Sequence, residues 1–215
     1  MQATSPEDTN KGVWMNTIED TRILDILTPS QREALTSAAK NKIVDSGRRS
    51  GKTFYLAAQL IHTCLNNPNS KCLFLSFCSA ATKRVSLPTV QTVLERAEVP
   101  YRLDMRKNTF IFTNGSVIGL NGLRSCEVRG EKYDQIAIDE PQLEKDFSAL
   151  VSGVSFGSER IVIAGSYLPV LMLPDGLTRG AAFFDFGPSY LDTYVLTAEE
   201  LKARLGEDPS TDTAT

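Results

Sequence analysis

Ser46-Gly47-Arg48-Arg49-Ser50-Gly51-Lys52-Thr53 decides how the rest of this 215-residue chain is read. It fits the pattern Gly, four free residues, Gly-Lys-Ser/Thr, with Ser46 in the first Gly position. Lys42 to Asp45, just before it, has the composition of a short strand. From Thr53 onward Tyr55, Leu56, Ala58, Leu60, Ile61, Cys64 and Leu65 recur at helical spacing. A loop between a strand and a helix start gathers backbone N–H groups, and the helix N-terminus adds partial positive charge, so the expected ligand is a triphosphate. Gly47 and Gly51 keep side chains out of that cradle. Lys52 then reaches the β- and γ-phosphates and the Thr53 hydroxyl ligates Mg²⁺. A Gly/Ser turn that merely caps a helix is the competing reading.

A second stretch decides between them. Tyr133-Asp134-Gln135-Ile136-Ala137-Ile138-Asp139-Glu140 is an apolar strand that delivers two adjacent carboxylates at its carboxyl end. In an open α/β sheet that is the edge where ligands bind. Asp139 is expected to hold Mg²⁺, mostly through water, and Glu140 to orient and deprotonate an attacking water. Carboxylates at a helix N-terminus, with Pro141 as the first helical residue, are also favoured by the dipole, and both statements can hold. The helix is expected to run on through Phe147 to Val151. Together the two stretches predict nucleotide hydrolysis.

The remaining signals place these motifs in an α/β domain. Thr28-Pro29-Ser30-Gln31 opens a helix with a capping box, which gives Gln31 a structural role. Recognition of an adenine edge by its amide is the alternative. Lys71 to Phe77 reads as a strand buried on both faces. Ala80 to Ala97 reads as a helix interrupted near Pro88, in which Lys83 and Arg84 either contact phosphates or line a solvated face. Thr109–Thr113 and Ser116–Leu120 flank Asn114-Gly115, a hairpin signal with positive φ expected at both turn residues. Arg102, Arg106 and Lys107 are the densest basic cluster outside the phosphate loop and are candidates to face DNA. Arg124 and Arg129 sit in a polar stretch before the Asp139 strand. Glu159 to Tyr167 is a further strand, and Ser166 at its tip is either a γ-phosphate sensor or a plain turn. Thr197–Leu205 reads as a short capped helix.

Composition sets the outer bounds. Net charge is −3, so a nucleic-acid partner would have to be gripped by a local basic face. The four cysteines show no metal-ligand pairing, which points to free thiols in a reducing compartment and no structural zinc. No apolar run approaches the ~18 residues of a membrane span, and the polar N-terminus is not expected to be a signal peptide.

The assembled set resembles the ATPase domain of large terminase subunits, the DNA-packaging motors of tailed bacteriophages, over roughly residues 25–200. Gly47-Arg48-Arg49-Ser50-Gly51-Lys52-Thr53 with its paired arginines, Pro29-Ser30-Gln31, Asn114-Gly115-Ser116, Arg129-Gly130 and Ile136-Ala137-Ile138-Asp139-Glu140 carry the resemblance. It implies a mainly parallel sheet sandwiched by helices, a P-loop nucleotide hydrolase of the additional-strand catalytic-glutamate type, with a β-hairpin and a small C-terminal lid. The domains implied are a flexible segment at 1–20, an ATPase core at 21–170, a lid at 171–205 and a disordered tail at 206–215. It also implies roles: Arg48 contacts the γ-phosphate, Gln31 reads adenine, and Arg129 is an arginine finger acting on a neighbouring subunit of a ring. Gly165-Ser166-Tyr167 falls at the motif that couples hydrolysis to movement. Ser46 replaces the family's usual Gly, and Ser166-Tyr167 replaces its commoner Thr-Pro.

The expected function is ATP hydrolysis, with Mg²⁺, that drives double-stranded viral DNA into a procapsid. The expected partners are duplex DNA, the portal protein and the small terminase subunit, in the host cytoplasm and transiently at the portal vertex, with no membrane. A homo-oligomeric ring is expected during packaging, with a monomer as the alternative for the isolated chain. The family's second, nuclease domain has no room before residue 215, so no nuclease activity is expected of this chain. A helicase-like nucleic-acid-dependent ATPase is the runner-up. A small-molecule kinase is disfavoured by Glu140, because a kinase must exclude water. A non-hydrolysing scaffold is disfavoured by the set Lys52, Asp139 and Glu140.

Overall fold

Four apolar runs form the middle of the sheet, and all four are parallel. They are β1 (Asn41–Asp45), β2 (Lys71–Ser76), β6 (Tyr133–Asp139) and β7 (Ser158–Gly165). The computed structural model describes residues 22–125, 131–146, 149, 151–152, 158–168, 173 and 175–187. Readings of Arg129, the 1–20 and 206–215 segments and the Thr197–Leu205 helix lie outside the described residues. The remaining strands are β3 (Tyr101–Asp104), β4 (Thr109–Phe112), β5 (Val117–Gly122) and β8 (Ala182–Phe184). The eight-stranded order is β3-β4-β5-β2-β6-β7-β1-β8, with antiparallel pairing only at β3–β4 and β4–β5.

Alternation along each central strand explains why the sheet is covered on both faces. Val44, Cys72, Phe74, Ala137, Val162 and Ala164 point to one side, where they pack with Tyr55, Leu56, Leu60 and Ile61 of α2 (Lys52–Asn66). Ile43, Leu73, Leu75, Ile136, Ile138, Ile161 and Ile163 point to the other, against Leu123, Val151, Leu168 and Leu177. A strand buried on both faces has no polar alternation, which is why these runs read clearly. Parallel register then aligns the carboxyl ends. Ser76 pairs with Asp139, Asp139 with Ala164, and Asp45 with Gly165, so one edge of the sheet carries every strand tip that matters.

α1 (Pro29–Thr36) begins with the expected capping box. The Gln31 N–H donates to Thr28 Oγ1 at 3.4 Å, and the Thr28 N–H donates to Gln31 Oε1 at 3.1 Å. α2 is buried on most of its circumference and stops where Asn67 caps it through a 2.9 Å bond to the Thr63 carbonyl. α3 (Leu87–Arg96) is preceded by a π-helical stretch, Thr82–Ser86, and by one α-turn, Ser79–Ala81. The helix is therefore continuous past Pro88. The wider π turn accommodates the proline that the sequence reading treated as an interruption.

Three expectations need correction. Only Gly115 of the hairpin turn has positive φ (84°). Asn114 instead works through its side chain: Oδ1 accepts from the Ser116 N–H at 3.0 Å and Nδ2 donates to the Cys64 carbonyl at 2.7 Å. The loop is four residues long, and the side chain supplies the turn that a second left-handed residue would have given. Second, Pro141 opens only a 3-10 turn, Pro141–Leu143, after which the backbone at Glu144 is extended. The helical residues 149 and 151–152 do not continue that turn. Third, β8 and β3 were not foreseen. β8 lies inside the 171–205 stretch expected to form a lid, yet it pairs in parallel with β1 as an edge of the main sheet.

Candidate active site

The loop from Ser46 to Gly51 leaves the end of β1 and delivers Lys52 as the first residue of α2. Two of its residues have left-handed backbone, Arg49 (φ 62°) and Gly51 (φ 87°). Gly51 is required twice over. Its φ strains any side chain, and a Cβ there would lie 2.6 Å from Gln31 Nε2. Gln31 carries out the capping role and adds a contact, since Oε1 closes the capping box while Nε2 donates to the Gly51 carbonyl at 3.2 Å. The α1 cap is thus fastened to the loop. Ser46 also has a positive use. Its Oγ accepts from the Phe186 N–H at 2.7 Å, and the Phe186 ring meets Tyr55 edge-on at 5.0 Å. A glycine here would lose the tie between the loop and the segment after β8.

Lys52 is buried, and its ammonium donates to the Ser46 carbonyl (3.0 Å), the Gly47 carbonyl (2.7 Å) and Ser166 Oγ (2.9 Å). Glu140 Oε1 is 3.7 Å away. Glu140 is itself held at both oxygens. Oε2 accepts from the Ser166 N–H at 2.9 Å and from Gln142 Nε2, and Oε1 accepts from Ser166 Oγ at 3.1 Å. The Glu140 backbone is left-handed (φ 49°, ψ 49°), a conformation that costs a non-glycine residue about 1–3 kcal/mol. It aims the carboxylate at the neighbouring tip of β7.

Thr53 Oγ1 donates to Asp139 Oδ2 at 2.9 Å. Asp139 Oδ1 is buried and without a hydrogen-bond partner. A buried carboxylate oxygen with nothing to accept from suits a divalent cation, and the hydroxyl beside it is a second oxygen donor of the kind Mg²⁺ takes alongside phosphate and water. Burial pushes the Asp139 carboxyl from its ordinary 3.8 up to about 7, and the neighbouring Glu140 charge adds to this. The Thr53 hydrogen bond and Lys52 pull it down.

This sets a pH dependence of definite sign. A folded-state value above the unfolded one means that Asp139 favours folding most below about 3.8, and that this contribution disappears as pH rises through about 7. Wild-type protein without ligand should therefore lose stability relative to Asp139→Asn as pH rises from 5 to 8. Cation binding needs the carboxylate, so Mg²⁺–ADP affinity should rise through neutrality with release of about one proton at pH 6. Calorimetry in two buffers of different ionisation enthalpy reads that proton, and zero release at pH 6 would remove Asp139 from the cation site.

A cavity of about 470 Å³ opens over this cluster, lined by Arg49, Lys52, Thr53, Phe54, Arg84, Pro88 and Glu140 among others. That size suits a small-molecule ligand. The structure brings Lys52, Thr53, Asp139, Glu140 and Ser166 together, with the Ser46 and Gly47 carbonyls on Lys52, Gln31 on the Gly51 carbonyl, and Gly51 itself in the cavity lining. It places Arg49 and Arg84 on the cavity wall, whereas Arg48 is exposed and does not line it. Gly165 is buried under Leu168 and Gln142, and Tyr167 is exposed with a left-handed backbone (φ 61°). Arg124 is exposed and paired with Glu144. Gln142 was missed. Its only sequence signal is its place two residues after Glu140, on a turn that Pro141 enforces.

Three comparisons bear on this geometry. The family model described as terminase large subunit, T4likevirus-type, N-terminal, matches residues 43–159. No match was found among curated proteins. Among solved structures, the chain is similar to the large terminase ATPase domain of Thermus phage P74-26, with TM-score 0.54 and 18% identity over 87% of this chain and 91% of that one. It is similar to the HK97 bacteriophage large terminase, with TM-score 0.58 and 12% identity over 90% of this chain and 49% of that one. A large terminase from a thermophilic bacteriophage, solved in complex with ADP, gives TM-score 0.58 and 11% identity over 86% and 48%. The chain thus spans about half the length of the HK97 and thermophilic-phage proteins. At these identities the likeness is one of fold, that of P-loop terminase ATPase domains.

Proposed function

Because the chain belongs to the T4likevirus-type terminase large-subunit family, we propose that it hydrolyses ATP to ADP and phosphate and that this drives duplex DNA into a procapsid. One observation carries the proposal: Lys52, the Thr53–Asp139 pair and Glu140 converge on one cavity at the carboxyl edge of the sheet. The loop N–H groups and the start of α2 bind the phosphates. Lys52 exchanges its bonds to the Ser46 and Gly47 carbonyls for phosphate oxygens. Thr53 and Asp139 hold Mg²⁺, which when bound offsets the negative charge that builds on the phosphates.

Glu140 acts as general base. Its Oε2 is engaged by two donors, so Oε1 is the oxygen that orients the water and takes its proton as the water attacks the γ-phosphorus. Ser166 Oγ accepts from Lys52 and donates to Glu140 Oε1. A γ-phosphate that draws Lys52 away changes the bonding of Ser166, so Gly165-Ser166-Tyr167 is placed to pass the state of the nucleotide to the strand tip. In the same reading the partners are DNA, the portal protein, the small terminase subunit and further copies of the chain in a ring, gathered at the portal vertex, and Arg129 serves the neighbouring subunit.

The test is steady-state ATP hydrolysis against protein concentration, with and without duplex DNA and with Glu140→Gln as the blank. The expected result is specific activity that rises with concentration and is stimulated by duplex DNA. Stimulation by single strands alone would favour the helicase-like reading. No hydrolysis above the blank, with portal and small subunit added, would overturn the proposal.

A further inference from the structure

We propose that Gln142 is the positioning residue that fixes the attitude of the Glu140 carboxylate, a role that rests on the hydrolytic reading of the site. Gln142 Nε2 donates to two acceptors at once, Glu140 Oε2 and, at 3.0 Å, the Ser166 carbonyl. Both partners can only accept when Glu140 is ionised, so the amide nitrogen must be the end that faces them and the side chain has one usable orientation. The Ser166 N–H donates to the same Oε2 at 2.9 Å. The amide therefore closes a ring through Glu140 and the tip of β7. With Oε2 gripped from two sides, the carboxylate cannot rotate about its terminal bond, and Oε1 stays turned toward Lys52.

Two further features fit this role. Gln142 Oε1 is buried and has no hydrogen-bond partner, so the amide is held by what its nitrogen does. Room for it is made at Gly165, where a Cβ would lie 2.5 Å from Oε1. The turn supplies the approach. Left-handed Glu140 followed by the Pro141–Leu143 3-10 turn folds Gln142 back over the residue two places before it.

The decisive substitution is Gln142→Met, which keeps length and approximate volume and removes both hydrogen bonds. It should lower kcat about 10²-fold, the scale of a misplaced reacting group, while KM for ATP and Kd for ADP stay within roughly 2-fold. On a Glu140→Gln background the same substitution should produce no further loss, because a residue that acts only through Glu140 has nothing left to position. Gln142→Glu, equally sized but facing Glu140 with an acceptor, should repeat the loss if the methionine variant does not fold. Wild-type kcat in the variant that folds overturns the proposal. So does a loss of ADP affinity in step with kcat, or an equal further loss on the Glu140→Gln background, either of which marks a merely structural role. If wild-type protein shows no hydrolysis above Glu140→Gln, the ATPase reading fails by itself. The Gln142 assignment is then decided by the position of the Glu140 carboxylate in a crystal structure of Gln142→Met: Oε2 off the Ser166 N–H supports it, and Oε2 in place overturns it.

Discussion

Glu140→Gln is expected to lower ATP turnover by about 10²–10⁴-fold, the usual contribution of a general base, while nucleotide binding persists or tightens. The surroundings dictate how the new amide sits. The Oε2 position receives two donors, the Ser166 N–H and Gln142 Nε2, so only the amide oxygen can occupy it. The NH₂ then takes the Oε1 position, on the side of Lys52 and Ser166 Oγ. A group that is purely a donor stands where a proton acceptor was, so water can neither be oriented nor deprotonated there. The substitution also removes the charge 3.7 Å from the Lys52 ammonium, which leaves Lys52 freer to engage phosphate. Losses in kcat and gains in affinity should therefore appear together. Single-turnover hydrolysis with a parallel Kd for ATP reads both. Turnover within roughly 3-fold of wild type would mean that another group takes the proton, since a missing base cannot be so cheap.

Parts of this arrangement were legible in the residues and parts were not, for physical reasons. The phosphate loop and the Asp139-Glu140 pair are local. Each is a strand end plus a few residues whose backbone demands are written in the sequence, and the double-sided burial of β2, β6 and β7 gives long apolar runs. What escaped depends on partners outside the stretch itself. β8 is three residues that become a strand only because β1 offers a free edge. Tyr101 to Asp104 is half-buried and carries a charge at Arg102, so its pairing with β4 outweighs a composition that suggested a basic surface. The Ser46 hydroxyl reads as a tolerated departure from glycine until Phe186, 140 residues later, donates to it. Gln142 carries no signal of its own until the tip of β7 is placed beside it. Gln31 shows the opposite case: its capping role was legible locally, and only its second bond, to the Gly51 carbonyl, needed the fold.

Mixing two inactive variants should restore activity. Arg129→Ala is expected to reduce turnover about 10³–10⁵-fold, the contribution of an arginine finger in related nucleotide hydrolases, with ATP still bound. Glu140→Gln is inactive for the separate reason given above. In a closed ring with head-to-tail contacts, an Arg129→Ala subunit keeps its own Glu140 and borrows the arginine of a Glu140→Gln neighbour. Random mixing at equal amounts makes roughly one quarter of the sites complete, if sites fire independently. A finger that acted within its own chain would leave every site in the mixture defective. The trans reading expects the first outcome. Glu131 is tied to Lys71, which opens β2, and to the Tyr133 hydroxyl at 2.8 Å, so it sits at the amino edge of the sheet. The nucleotide site lies at the carboxyl edge, beyond the seven residues of β6, a span of about 20 Å. Only Gly130 separates Arg129 from Glu131, which allows at most ~7 Å between their Cα atoms, and distance from the subunit's own cavity is what the trans reading requires. Turnover in the mixture that stays at the level of the separate variants would sink the trans assignment and leave Arg49 and Arg84, which already line the cavity, as the arginines to test in its place.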